Sequence, residues 1–152
     1  MRECVEHAHE RVRLYWWYEC HGGMWLSALL VIDDEEAFLE LFVEFMGIRH
    51  PDVEVHCAKD GNEGIGLYKK LIDDKKELSL VVVDYHLKGL GGVDTISEIK
   101  NIDSGQRVVV LTANRTPAQV DDAKKVGAEV VIEKPYDFSE MVDHLTKIMQ
   151  VQ

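Results

Sequence analysis

The sequence predicts an α/β fold, a doubly wound parallel sheet of five strands with helices on both faces. Three observations carry that expectation. Apolar runs of strand length recur between segments of helical periodicity, and the connections between them are short. The run Leu80 to Val83 has no alternation, as suits a strand buried on both faces of a parallel sheet. Five strand–helix pairs in succession require right-handed crossovers, which place helices on both faces of one sheet.

The elements follow in order. Leu26 to Ile32 reads as a first strand that stops at Asp33-Asp34, and Glu35 to Met46 as a helix with Phe38, Leu41, Phe42 and Phe45 on its apolar face. Gly47 is the expected stop of that helix. Val53 to Ala58 is a second strand, with Cys57 on the same face as Val53 and Val55. Asp60 followed by Glu63 is capping-box chemistry for a second helix that fades near the charged turn Asp73 to Lys76. The central strand then ends on Asp84, and a glycine-rich loop from Lys88 to Gly92 leads to a third helix over about Val93 to Asn101. Arg107 to Leu111 is the fourth strand. Thr116-Pro117-Ala118-Gln119 starts the fourth helix, with a hydroxyl cap, proline at the first helical position and glutamine as capping-box partner; Gly127 stops it. Val130 to Glu133 is the fifth strand, and a last helix starts near Asp137 and runs to about Met149.

Residues 1–24 stand apart as an N-terminal extension to a domain spanning 25–150. The spacing of Val5, Ala8, Val12 and Tyr15 or Trp16 fits a helix over Cys4 to Tyr18, with Gly22-Gly23 as stop and hinge. Cys4, His7, His9, Cys20 and His21 have no standard zinc spacing. The aromatic run Tyr15 to Tyr18 suits packing on the domain or on a second copy, which leaves a homodimer open. Met24 is an alternative natural start.

The chain has 152 residues, enough for one domain with a substantial core, and a formal net charge of -11. That charge disfavours nucleic acid and anionic membrane as direct partners. No apolar run approaches the roughly 20 residues that span a bilayer. The charged N-terminus lacks a signal-type apolar region, so a cytoplasmic location is expected. Three cysteines without Cys-x-x-Cys spacing fit reduced thiols.

Ligands of open α/β sheets bind beyond the carboxyl ends of the strands. There this chain places Asp33 and Asp34, Asp84, Thr112 and Lys134. Two adjacent carboxylates facing a third repel unless a cation lies among them. Oxygen-only ligands favour a hard ion such as Mg²⁺. A carboxylate beside Mg²⁺ is a competent nucleophile toward a phosphoryl group, whose oxygens a hydroxyl and an ammonium can hold. The alternative for any one of these residues is an ordinary surface charge at a strand end.

From about Ala28 to Met149 the chain resembles a response-regulator receiver domain, the CheY-like, flavodoxin-like module of two-component signalling. The resemblance rests on Val31-Ile32-Asp33-Asp34-Glu35, on Val82-Val83-Asp84 with Gly92 eight residues on, on Leu111-Thr112-Ala113 and on Lys134-Pro135. It implies that Asp84 accepts a phosphoryl group from a sensor histidine kinase or a histidine phosphotransfer protein. It implies Mg²⁺ bound by Asp34, Asp84 and the backbone carbonyl of His86, with Asp33 assisting through water. Thr112 and Lys134 would bind phosphoryl oxygens, and a cis Lys134-Pro135 bond would aim the lysine inward. His86 and Asn114, at the family's variable positions, would tune the lifetime of the phosphorylated state; otherwise they are polar loop residues.

Two departures stand out. Lys88 occupies the place of a usual proline, and Val131 that of the aromatic residue three positions before the lysine. In the family that ring follows the threonine inward and alters the face of helix four, strand five and helix five. Without it, the expectation is that a downstream protein reads helix four or the loop before it. Nothing follows the last helix, so a stand-alone receiver is expected, an enzyme only toward its own phosphorylation and dephosphorylation. The rival readings are a small Mg²⁺-dependent phosphatase of the haloacid-dehalogenase type and a receiver-like scaffold that never turns over phosphate. The first wants an Asp two residues after its nucleophile, where this chain has His86 after Asp84 and Glu35 after Asp33.

Overall fold

Five parallel strands form one sheet in the order β2-β1-β3-β4-β5. The computed structural model describes residues 27–134 and 137–151. The strands are β1 (Ser27–Ile32), β2 (Val53–Ala58), β3 (Leu80–Asp84), β4 (Val108–Thr112) and β5 (Val130–Glu133). The helices are α1 (Glu36–Arg49), α2 (Gly61–Asp73), α3 (Gly92–Ile102), α4 (Pro117–Lys125) and α5 (Phe138–Gln150).

Alternate side chains of each inner strand feed two cores. Leu29, Val31, Leu80, Val82, Val109 and Leu111 face α1 and α5, which contribute Phe42, Met46, Val142 and Leu145. Leu30, Ile32, Val81, Val83, Val108 and Val110 meet Tyr68 of α2, Ile96 and Ile99 of α3, and Ala123 of α4. β3 and β4 are therefore buried along their whole length, which is why their sequences do not alternate. The strand order turns back at β1 and β3. Both strands run to the same edge, and the crevice there is where a ligand of this architecture sits.

The sequence-predicted helix starts largely hold. The Asp60 carboxylate accepts from the Glu63 N–H at 2.8 Å, while the Glu63 carboxylate takes the N–H of Lys59, one residue earlier than a standard box. Thr116 and Gln119 form the full reciprocal cap of α4. Asp137 accepts from the N–H groups of Ser139 and Glu140. Gly127 takes φ +96°, the left-handed stop expected after α4.

Gly47 does not end α1, which runs on to Arg49. The stop is His50, whose φ and ψ of -136° and 63° leave the helix just before Pro51, where helical geometry is disfavoured. A Cβ at Gly47 would meet nothing within 4 Å, so that glycine serves no close approach. Arg49 and His50 both pair with Asp143 of α5, which anchors the extra turn. Cys57 packs against the α1/α5 core, on the face expected. The extension, with its candidate helix, hinge and Cys/His residues, lies outside the described residues, as does Pro135 and hence the Lys134-Pro135 bond.

Candidate functional site

Each strand delivers its polar residue as it leaves the core. β1 ends at Ile32, and Asp33 and Asp34 occupy the turn into α1, with the Glu35 N–H donating to Asp33 Oδ1 at 2.9 Å. Asp84 is the last residue of β3 and Thr112 the last of β4. Lys134 directly follows β5, its N–H donating to the Thr112 carbonyl at 2.7 Å. Gly92, at the start of α3, lies so close to the end of β3 that a Cβ there would overlap the Asp84 carbonyl and approach Tyr85 Cα to 2.9 Å.

These positions converge. One carboxylate oxygen from each of Asp33, Asp34 and Asp84 lies within 4.8 Å of the other two. The Lys134 ammonium stands 2.8 Å from Asp33 Oδ2, 3.1 Å from Asp84 Oδ1 and 3.1 Å from Glu35 Oε1. Its approach to the Phe38 ring, 4.4 Å from the centroid, gives the charge an aromatic face as well. Thr112 is fully buried, and its hydroxyl lies 3.1 Å from Gln119 Oε1 and 3.2 Å from the Asn114 carbonyl.

The electrostatics are unbalanced in a way that invites a cation. Asp33 is 1% exposed, and its Oδ2 is held by the Lys134 ammonium at 2.8 Å. Burial pushes its pKa from 3.8 up to about 6, against the opposing pull of Lys134. Burial also raises Asp84, again against Lys134. Burial alone would lower Lys134, but Asp33 and Asp84 more than offset it and hold the ammonium above the ordinary lysine range. One ammonium thus faces three clustered carboxylates and Glu35. An all-oxygen donor set that carries surplus negative charge fits a hard divalent ion such as Mg²⁺.

Lys88 gives its departure a physical consequence. Its N–H donates to Asp34 Oδ2 at 3.3 Å, a bond that proline could not make. Val131 is buried in the α2/α3 core, and the Arg115 Nε–H crosses to its carbonyl at 3.1 Å. His86 is exposed two residues after Asp84 and joined to the Gln119 amide at 3.0 Å. Asn114 is likewise exposed, its N–H on the Thr112 hydroxyl. Phe38 and Gln119 belong to the site although sequence patterning gave them only helical roles, and Glu35, quoted with the acidic pair, was assigned no contact with Lys134. Glutamine at the third position of a helix just after a strand-end threonine was the available signal for Gln119.

Residues 29–146 match the response regulator receiver domain family. The chain belongs to that family. It is 30% identical to the chemotaxis protein CheY of Thermotoga maritima over 79% of this chain and 95% of that protein. It is 29% identical to sporulation initiation phosphotransferase F of Bacillus subtilis over 82% and 94%. A receiver domain protein from Clostridium thermocellum superimposes with a TM-score of 0.69 at 26% identity, covering 82% of this chain and 95% of that one. CheY in a CheX-CheY-BeF3-Mg²⁺ complex from Borrelia burgdorferi has the same fold, with a TM-score of 0.71 at 21% identity over 84% and 92%. Membership of the receiver family replaces the haloacid-dehalogenase reading. No helix among the described residues is long and apolar enough to cross a membrane.

Proposed function

We propose that this receiver takes a phosphoryl group onto Asp84 from the phosphohistidine of a sensor kinase or histidine phosphotransfer protein, and signals by changing which protein it binds. The observation that carries this reading is the meeting of Asp33, Asp34 and Asp84 with Lys134 in one buried corner. A carboxylate oxygen of Asp84 attacks phosphorus, the N–P bond breaks, and the imidazole leaves with a proton. Lys134 sits on Asp84 Oδ1, where it favours the ionised, nucleophilic carboxylate against burial and stands ready for a phosphoryl oxygen. Thr112 supplies a second donor to those oxygens. Asp34, Asp84 and the His86 carbonyl would hold Mg²⁺ directly and Asp33 through water; the ion supplies charge neutralisation between nucleophile and phosphoryl group. Glu35 and the Lys88 N–H position Lys134 and Asp34.

The names of two relatives support the reading: one is a phosphotransferase, and one CheY structure contains BeF3 and Mg²⁺. In this reading the receiver turns over only its own phosphoryl group. Exposed His86 and Asn114 would set how easily water reaches the acyl phosphate. The donor chemistry belongs to the cytoplasm, and the acidic surface argues against direct contact with nucleic acid. Incubation with acetyl phosphate and Mg²⁺ tests the reading. Mass spectrometry is expected to find an acid-labile phosphate adduct that vanishes in Asp84→Asn. No adduct, or one retained in Asp84→Asn, overturns it.

A further inference from the structure

Helix α4 is weakly held by apolar contacts. Of its nine residues only Ala123 is fully buried. Polar contacts tie it instead to the loop after the acceptor. Gln119 Oε1 accepts from the Thr116 N–H at 3.4 Å, closing the capping box, and from the Thr112 hydroxyl at 3.1 Å. Because a backbone N–H can only donate, this fixes which end of the amide is oxygen, and the Gln119 Nε2 then donates to His86 Nε2. One helical turn further, Asp122 Oδ2 accepts from the Tyr85 hydroxyl at 3.3 Å. The two residues after Asp84 thus each hold one residue of α4, at positions i and i+3 of a single face. On the other side, Arg115 ties the loop before α4 to the Val131 carbonyl.

We propose that Gln119 and Asp122 form a polar latch that carries the state of Asp84 to α4, with Gln119 the positioning residue for Thr112. This rests on the phosphoacceptor reading of Asp84. The Thr112 hydroxyl has one hydrogen, and Gln119 Oε1, the Asn114 carbonyl and an incoming phosphoryl oxygen all compete for it. When Thr112 donates to the phosphoryl group, Gln119 loses a partner that also locates its amide against His86. The latch loosens at its first residue, and α4 separates from the β3–α3 loop. In this chain the route needs no aromatic ring on β5, where Val131 is buried and has no polar tip.

The test uses the full chain with beryllofluoride and Mg²⁺, following bound fluoride by ¹⁹F NMR and amide exchange across α4 from Val120 onward. Gln119→Met is expected to bind beryllofluoride more tightly, by up to about 12-fold, the upper bound set by one net hydrogen bond, because the Asn114 carbonyl is then the one resident acceptor left to compete for the Thr112 hydrogen. Its α4 amides should exchange faster by a similar factor before any addition, with a smaller further change on binding. A residue that merely capped α4 would alter exchange without tightening the site. Asp122→Ala leaves the capping box and Thr112 untouched and should also speed α4 exchange and shrink the response. Unchanged affinity in Gln119→Met together with an undiminished α4 response in both variants overturns the latch alone. Absence of bound beryllofluoride in the unmodified protein overturns the phosphoacceptor reading and the latch with it.

Discussion

Asp33→Asn should make the metal-free protein more stable at neutral pH. Asp33 is 1% exposed, and burial holds its pKa at about 6 against 3.8 for an ordinary aspartate. The folded state therefore binds the proton more readily than the unfolded chain does. At low pH both states are protonated and the group contributes nothing. As pH rises through 3.8 and then about 6, the folded state must ionise a carboxyl that resists it, and stability falls. The displacement from 3.8 to about 6 corresponds to about 3 kcal/mol at 1.36 kcal/mol per pH unit, net of the attraction to Lys134. Asparagine keeps the oxygen that accepts from the Glu35 N–H and removes the charge. In urea with a chelator, the variant should gain about 3 kcal/mol at pH 7.5, a midpoint shift of roughly 1–3 M, and less than about 1 kcal/mol at pH 4. Saturating Mg²⁺ should stabilise the parent more than the variant, since only the parent offers the third carboxylate. A variant less stable than the parent at pH 7.5, or equally stabilised at both pH values, would refute the view that the corner is frustrated by surplus negative charge.

Two further perturbations probe the scaffold. Gly92→Ala forces a methyl group against the Asp84 carbonyl and Tyr85, and because backbone is the obstacle it should cost about 1–3 kcal/mol in urea unfolding and weaken beryllofluoride binding. His56, buried on β2 with both ring nitrogens lacking hydrogen-bond partners, has Glu54 Oε1 at 3.5 Å and Lys76 nearby. Burial pushes its pKa below 6.5, so its contribution is complete above that pH and is lost as pH falls through the lower folded-state value. The stability difference between His56→Leu and the parent should therefore grow from pH 7.5 to pH 5, a comparison in which the opposite trend of Asp33 cancels; an unchanged difference would show that His56 does not titrate in this range.

Much of this architecture was legible because its signals are local. Continuous valine runs mark buried parallel strands, and Thr116-Pro117-Ala118-Gln119 encodes a cap within four residues. The five charged or hydroxylated strand ends could be aligned because the topology, once inferred, sends every strand to the same edge. Other features were illegible for definite physical reasons. Gly47 has a stop residue's identity, yet the stop is set by Pro51 and by the distant Asp143. Glu35 and Phe38 join Lys134 across almost a hundred residues of chain, and no periodicity within α1 reports that contact. Gln119 satisfied a local explanation completely, which concealed its bonds to Thr112 and His86.

The two departures from the usual receiver pattern acquire meaning together. Exchanging proline for Lys88 adds an N–H on Asp34, and the place of the ring is taken by a buried valine without a polar tip. A buried valine cannot report a shift of Thr112, so the proposed signal would leave the corner by another contact. Among the described residues the contacts that leave this corner include Thr112 to Gln119 and Tyr85 to Asp122, which reach α4, a helix whose apolar anchors are buried Ala123 and partly buried Val120. Hydrogen bonds worth about 1 kcal/mol each are too weak to fix a well-packed helix but comparable to what restrains α4. A switch built from them would respond to the loss of a single bond, the scale of change expected if, as proposed, a phosphoryl group on Asp84 takes the Thr112 hydrogen.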